Sequence, residues 1–232
     1  MQVVVLWVGS LGSVRYRPRC PSGAANIPSG PLLRTFCEKI ASLNAKSVTM
    51  VMPRGEYDAD AAHVRGLLGA FDVVLPDFAP AGPAPAVLLA ADSLAPDESL
   101  VIVEGGAMPS VDFNRLVDRF RRKEFDAGGL GVRTTAAKRC FLRVDRHGAL
   151  VESSRHPTAS HLTLAGLAYF AKSHCYLESA RRAIREDAFD LSVGAVFNRM
   201  ILCQQRIGIH EIPRRALHHL RGAVDRGSSS EH

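Results

Sequence analysis

A glycine-rich turn that ends in an arginine follows the first apolar segment of the chain. It reads Gly9-Ser10-Leu11-Gly12-Ser13-Val14-Arg15. Glycines let backbone N–H groups approach phosphate oxygens closely, and a guanidinium pairs with the same oxygens through two hydrogen bonds. The spacing is neither G-x-G-x-x-G nor the P-loop pattern, so a flexible turn with an exposed arginine is the alternative interpretation.

No motif in this sequence strongly predicts a metal site built only from protein ligands. Asp58 and Asp60 form a D-x-D pair, but they lie near the start of a predicted helix, where acidic residues favour the helix dipole. His218 and His219 fall on a predicted closing helix and need no ligand. The cysteines form no C-x-x-C, so we expect reduced thiols rather than a zinc site or a disulfide framework. They are Cys20, Cys37, Cys140, Cys175 and Cys203.

Length and composition are those of a globular chain. It has 232 residues, of which 47% are hydrophobic and 22% charged, so we expect one domain over residues 1–225 and a polar tail over residues 226–232. The sequence contains no stretch of about 20 apolar residues, so no membrane span is predicted. The first apolar run has no basic leader, so no signal peptide is predicted and we expect the cytoplasm as the default location. The formal net charge is +6, but no basic run is interleaved with aromatic residues, so nucleic-acid binding is not indicated.

Strand-like and helix-like segments alternate along the first half of the chain. Strands are predicted at residues 3–8, 47–52, 71–75 and 100–103, and helices at residues 31–43, 57–68, 84–94 and after an N-cap at Ser110. The second half predicts a hairpin at residues 140–152, a strand at 164–170, helices at 174–184 and 191–204, a strand at 207–212 and a closing helix at 213–224. This order predicts an α/β fold, a three-layer sandwich around a mainly parallel mixed sheet.

Ligands of such sheets bind beyond the carboxyl ends of the strands. Three loops therefore meet at one edge: the glycine turn after strand one, residues 80–86 after strand three, and residues 104–109 after strand four. We expect the chemistry of the protein at this edge.

Six segments, in this order, resemble the sugar nucleotidyltransferases, whose fold is glycosyltransferase-A-like. The opening strand and turn resemble the family's G-x-G-x-R, and Gly30-Pro31-Leu32-Leu33 resembles its G-K-P-[LM]-[LI]. The remaining similar segments are residues 81–90 (AGPAPAVLLA), 100–106 (LVIVEGG) with Asp112-Phe113, 144–151 (VDRHGALV) and 165–170 (AGLAYF). The similarity runs from about residue 3 to residue 213.

The resemblance implies a reaction in which a sugar-1-phosphate attacks a nucleoside triphosphate and releases pyrophosphate, with Mg²⁺ as cofactor. It places Arg15 and Arg155 as catalytic residues. It assigns nucleotide binding to Gly9, Ser10, Gly12, Ser13, Gly82 and Ala84, sugar binding to Glu152 and Gly166, and metal binding to Glu104 and Asp190. The partners would be the two substrates, with neither nucleic acid nor membrane, and the product would serve polysaccharide or capsule synthesis. Association of identical copies is left open.

The sequence departs from the family at the points that carry its chemistry. One extra residue separates Gly12 from Arg15, and the lysine ahead of the first long helix is missing. The family's metal aspartate aligns with Gly106. Glu104 lies two residues earlier, on the same face of a strand, and has a longer side chain. A paired strand-end carboxylate is the alternative interpretation of Glu104, and a helix N-cap is that of Asp190.

Three functions are therefore compatible with the sequence. The first is an active sugar-1-phosphate nucleotidyltransferase. The second is a family member that has lost catalysis and binds a nucleotide or a partner protein, as Gly106 and the missing lysine suggest. The third is a glycosyltransferase of related fold, although its usual D-x-D position reads Glu104-Gly105-Gly106.

Overall fold

The computed structural model describes residues 1–7, 30–59, 71–105, 107–134, 140–158 and 160–219. The strands within them are β1 Gln2–Leu6, β2 Ser47–Val51, β3 Asp72–Val74, β4 Leu100–Glu104, β5 Ala107–Pro109, β6 Ala127–Arg133, β7 Phe141–Val144, β8 Leu150–Ser154, β9 Leu162–Phe170, β10 Ile207–Ile212 and β11 Leu217–His219. The helices are α1 Gly30–Ala41, α2 Arg54–Ala59, α3 Pro83–Leu88, α4 Phe113–Arg122, α5 Ser173–Glu186 and α6 Val193–Leu202, with 3-10 helices at Ala91–Ser93 and Arg214–Ala216.

The main sheet is mixed: four of the six pairings along its seven-strand path are parallel, and those of the β7–β8 hairpin are antiparallel. Its strand order is β10-β6-β9-β4-β1-β2-β3, and the β7–β8 hairpin joins it where Phe141 pairs with Thr163 of β9. Strand β9 runs antiparallel to both β4 and β6, whereas β1 is parallel to β2 and β4. Because Leu6 pairs with both Val51 and Glu104, strands β1, β2 and β4 end at one level, which is the carboxyl edge of the sheet.

Alternation along the central strands divides the core into two layers. Val3 and Val5 of β1 belong to one cluster, which includes the apolar side chains of α1 and α4, and Val4 and Leu6 belong to the other, which includes those of α3, α5 and α6. Every second residue of a strand points to the same face, so a continuous apolar strand supplies both clusters at once. The predicted three-layer α/β sandwich is confirmed.

Helix α4 has the apolar face that its 3.6-residue period predicts. Its buried residues are Phe113, Leu116, Val117 and Phe120. The predicted N-cap at Ser110 is wrong, because the side chain of Asp112 accepts the hydrogen bond from the Arg115 N–H at 3.1 Å. The Ser110 N–H instead donates to the carbonyl of Ala216 at 2.6 Å.

The closing helix predicted over residues 213–224 is also wrong in its described part. A 3-10 turn over Arg214–Ala216 is followed by β11, which pairs antiparallel with β5 as a separate two-stranded sheet. Backbone pairing with β5 overrides the amphipathic pattern of the segment. Residues 220–224 and the tail lie outside the described residues.

Strand β6 has no counterpart in the sequence prediction. Its sequence AGGLGVR carries three glycines, which disfavour strands, yet six of its seven residues are buried. A Cβ on Gly128 would lie 2.7 Å from the ring of Phe120, and one on Gly131 would lie 2.9 Å from the side chains of Leu162 and Ile209. Gly128 is therefore explained by close packing against α4, and Gly131 by the side chains of the neighbouring strands β9 and β10.

No helix in the described part of the chain is long and apolar enough to cross a membrane.

Candidate functional site

The glycine turn itself lies outside the described residues, as do Gly106 and Asp60. This applies to Gly9, Ser10, Gly12, Ser13 and Arg15, so their nucleotide and catalytic roles stay predictions. Strand β1 ends at Leu6 between β2 and β4, and the Trp7 N–H donates to the Val51 carbonyl at 2.9 Å. The chain therefore reaches residue 7 at the carboxyl edge of the sheet, where the predicted site belongs.

Glu104 is the last residue of β4 and lies on this edge. Ile102 and Leu100, two and four residues earlier, belong to the cluster beneath α3, α5 and α6. The period of two therefore turns the half-buried Glu104 side chain towards the same helices. Burial raises the pKa of the Tyr176 hydroxyl in α5, and the Glu104 carboxylate raises it further, which agrees with that orientation.

Asp190 lies in the loop between α5 and α6. Its Oδ1 accepts the N–H of Ser192 at 3.2 Å, and the Oγ of Ser192 accepts the N–H of Ala195 at the same distance. Ser192, rather than Asp190, is the N-cap of α6. The alternative interpretation of Asp190-Leu191-Ser192 as a helix N-cap is confirmed for the segment, with Ser192 as the capping residue.

Both candidate carboxylates affect the pKa of the Cys140 thiol. Burial raises its pKa to about 11, and the carboxylates of Asp190 and Glu104 contribute to that rise. Its Sγ lies 2.9 Å from the Oγ of Ser153, which acts in the opposite direction. Both carboxylates thus lie within electrostatic reach of one thiol, although they come from elements far apart in sequence.

Gly82 and Ala84 connect α3 to the Asp190 loop. The Ala84 N–H donates to the Leu191 carbonyl at 2.9 Å, and the Ala84 side chain is fully buried. A Cβ on Gly82 would lie 2.6 Å from the Leu191 Cβ and 2.7 Å from its carbonyl oxygen. The described role of both residues is packing against this loop, and a role in nucleotide binding stays a prediction.

Gly166 lies beside Glu104 in a kink of β9. Leu167 pairs with Val103, and the register between β6 and β9 shifts across this region. Gly166 has a φ of +66°, a left-handed conformation that side chains rarely adopt. The glycine is therefore required by a β-bulge next to the candidate site, and sugar binding by it stays a prediction.

Arg155 and Glu152 lie on the exposed side of the hairpin. Arg155 follows β8 directly, and its Nη1 donates to the Phe189 carbonyl at 3.0 Å. Glu152 accepts two hydrogen bonds on Oε2 from Arg143, at 3.1 and 2.9 Å, across the β7–β8 pair. Arg155 is thereby joined to the Asp190 loop, while Glu152 is engaged in an exposed ion pair.

One contact that the sequence does not reveal attaches β8 to α6. The Oδ1 of Asn198 accepts the N–H of Ser153, and its Nδ2 donates to the carbonyl of Ser153, both at 2.8 Å. A polar residue within the apolar pattern of α6 was the available signal, but spacing does not reveal a partner 45 residues away.

The donor set fits a cation that is shared with substrate. In the described residues no group of three His, Cys, Asp or Glu side chains could hold a metal ion. Two carboxylates, Glu104 at the end of β4 and Asp190 in the loop before α6, both raise the pKa of the Cys140 thiol. Mg²⁺ takes one or two carboxylates and completes its shell with water and substrate phosphates, so this pair matches its usual requirement.

Three solved structures share this architecture over most of their length. A nucleoside-diphosphate-sugar pyrophosphorylase from Vibrio cholerae is 16% identical with a TM-score of 0.69, and the match covers 96% of each chain. A proposed glucose-1-phosphate thymidylyltransferase from Bacillus anthracis is 16% identical with a TM-score of 0.70, over 91% of this chain and 87% of that one. An inositol-1-phosphate CTP transferase from T. maritima is 14% identical with a TM-score of 0.70, over 98% and 92%.

No protein-family model matches the sequence, and no curated protein matches it either. At 14–16% identity the structural similarity establishes the fold alone. The protein therefore has the fold of nucleotide-diphospho-sugar transferases, as the sequence resemblance predicts.

Proposed function

We propose that the protein is a sugar-1-phosphate nucleotidyltransferase. A phosphate oxygen of the sugar phosphate attacks the α-phosphorus of a nucleoside triphosphate, the bond to the β-phosphate oxygen breaks, and pyrophosphate leaves. The observation that carries the proposal is the position of Glu104, which ends β4 opposite Leu6 at the carboxyl edge of the parallel strands. The shared fold supports it. The cytoplasmic location and the use of the product in polysaccharide or capsule synthesis rest on the sequence resemblance.

Mg²⁺ is part of the proposal, with Glu104 and Asp190 as the residues that would hold it. When bound, Mg²⁺ neutralises the charge that develops on the phosphate oxygens. The two carboxylates fix the position of the triphosphate relative to the acceptor. Asp190 is suited to this role because the loop that carries it is held at two places. The Leu191 carbonyl accepts a hydrogen bond from the Ala84 N–H of α3, and the Ser192 Oγ accepts one from the Ala195 N–H of α6.

The remaining roles divide between the two substrates. Gly9, Ser10, Gly12 and Ser13 would cradle the triphosphate with backbone N–H groups, and Arg15 would stabilise charge on the transferred phosphate. The Gly82–Ala84 segment would border the base. Arg155 would hold the sugar phosphate, and Gly166 and Glu152 would border the sugar. Arg155 is suited because it is exposed and follows the end of β8 beside the Asp190 loop.

Pyrophosphate release tests the proposal directly. Purified protein is incubated with Mg²⁺, each of the four nucleoside triphosphates and a panel of sugar phosphates. We expect release with at least one pair, and a loss of about 100-fold or more in Glu104→Gln and Asp190→Asn. Asp97→Asn is the matched control, because Asp97 is an exposed carboxylate near the opposite edge of the sheet. Absence of release from every pair would refute the proposal.

A second candidate is a protein that binds nucleotide without transferring it. Gly106 stands where the family has its metal aspartate, and the lysine ahead of the first long helix is missing. Losing a carboxylate leaves several phosphate charges less well neutralised at the transition state. A gain of Mg²⁺-dependent nucleotide binding in Gly106→Asp would favour this candidate, and unchanged binding would count against it.

A further inference from the structure

Phe189 presents an exposed aromatic ring next to the candidate site. Phe189 is 86% exposed, the highest value for a large apolar side chain in the described part of the protein. It lies in the loop between α5 and α6, immediately before Asp190. Large apolar side chains on a surface are ordinary when scattered, so the local surroundings of this ring decide its meaning.

The loop that carries the ring is held in place by its backbone. The Phe189 N–H donates to the Oδ1 of Asp187 at 2.9 Å, and its carbonyl accepts from the Nη1 of Arg155 at 3.0 Å. Two residues later the Leu191 carbonyl accepts from Ala84 at 2.9 Å. A ligand that contacts the ring therefore meets a backbone that is already positioned, and the cost of ordering the loop is small.

The same contact ties the guanidinium of Arg155 to the backbone of the residue that carries the ring. Arg155 uses only Nη1 in this bond, and its other N–H groups make no hydrogen bond within the described residues. A guanidinium with free donors recognises a phosphate group, and an aromatic face packs against the C–H face of a saturated ring. The pair Arg155–Phe189 is thus complementary to a small molecule that carries both a phosphate and a ring.

We infer that Phe189 is a specificity-determining residue that stacks on the ring of the phosphorylated acceptor while Arg155 holds its phosphate. This inference rests on the proposed function, and it names the acceptor class as a cyclic sugar or polyol phosphate with an apolar ring face. Phe189 directly precedes Asp190, so a ring stacked on it would lie next to the candidate metal position.

Calorimetric binding of two probes separates the ring from the phosphate. Glucose 1-phosphate carries both groups, and inorganic phosphate carries only the second. We expect Phe189→Ala to weaken glucose 1-phosphate binding about tenfold and to leave inorganic phosphate binding unchanged, whereas Arg155→Ala weakens both. Phe189→Tyr retains the ring and restores glucose 1-phosphate binding. Leu202→Ala is the matched control, since Leu202 is 71% exposed at the far end of α6.

Several results would overturn the inference. These are unchanged glucose 1-phosphate binding in Phe189→Ala, an equal loss for both probes, and no sugar-phosphate binding by the wild-type protein. Sedimentation in which Phe189→Ala converts a dimer to a monomer would also overturn it, because the ring would then be an interface between copies. Ring-dependent binding without pyrophosphate release from any substrate pair would instead refute the proposed transfer and leave the acceptor contact in place.

Discussion

Two asparagines in this protein make the same pair of hydrogen bonds in different surroundings. Asn198 bridges the N–H and carbonyl of Ser153 at 2.8 Å each, in a partly buried position between α6 and β8. Asn114 accepts from the Asn44 N–H and donates to the Ser42 carbonyl at 3.1 Å each, in an exposed position. We predict that Asn198→Ala destabilises the protein much more than Asn114→Ala.

The magnitude follows from the number of bonds and their burial. Two hydrogen bonds contribute about 2 kcal/mol, and leaving partly buried backbone groups of Ser153 unpaired adds about 1 kcal/mol. At Asn114 water replaces the lost partners, so the cost stays below about 1 kcal/mol. Both residues lie in helices, where alanine is favoured by a similar amount, so this contribution largely cancels in the comparison.

Urea unfolding gives both free energies under the same conditions. We expect a difference of about 2 kcal/mol between the variants, which corresponds to roughly 4–8 °C in the melting temperature of a chain of this size. Asn198→Asp tests the donated bond separately, because its carboxylate still accepts from the Ser153 N–H but repels the Ser153 carbonyl oxygen. Equal costs for Asn198→Ala and Asn114→Ala would refute the reasoning that burial determines the value of these bonds.

Three further predictions concern packing, thiol reactivity and pH. Gly82→Val destabilises the protein by at least about 2 kcal/mol, because its Cβ would lie 2.6 Å from the Leu191 Cβ, and thermal unfolding measures the loss; an unchanged melting temperature would contradict it. Iodoacetamide alkylates the exposed Cys203 before Cys140, and peptide mass spectrometry measures the two rates. Burial and nearby carboxylates raise the pKa of Cys140 from 9.0 to about 11, so its thiolate is about 100-fold less populated than that of a thiol with the ordinary pKa. Equal rates would exclude this prediction. The pKa of His210 is lowered by burial and by the cations Arg119 of α4 and Lys123 just after it, so protonation favours the unfolded chain and stability falls as the pH drops below about 6.5. In His210→Gln the unfolding free energy should decline less over this range, and identical pH profiles would count against the assignment.

Local patterns in the sequence were sufficient to predict most of the main sheet and its layers. Continuous apolar strands and the 3.6-residue period of α4 each bury a face that the sequence displays directly. Strand β6 could not be predicted, because its glycines are explained by the side chains of Phe120 and Ile209 on other elements. Strand β11 could not be predicted either, since its partner β5 lies more than a hundred residues earlier.

The candidate site was predicted in its location but not in its connections. The sequence placed Glu104 and Asp190 near the carboxyl edge through the resemblance to a family. The role of Ser192 as helix cap and the effect of both carboxylates on the pKa of Cys140 depend on how distant loops pack. Spacing along one chain carries no information on such contacts.

Calorimetric titration of nucleoside triphosphates with and without Mg²⁺ tests the role of the two carboxylates most directly. We expect Mg²⁺ to strengthen binding of at least one triphosphate to the wild-type protein by about tenfold or more. Glu104→Gln and Asp190→Asn should each abolish most of this gain, while Asp97→Asn keeps it. Triphosphate affinity that is the same with and without Mg²⁺ would contradict this role of the carboxylates. So would a Mg²⁺-dependent increase in affinity that is retained in both site variants.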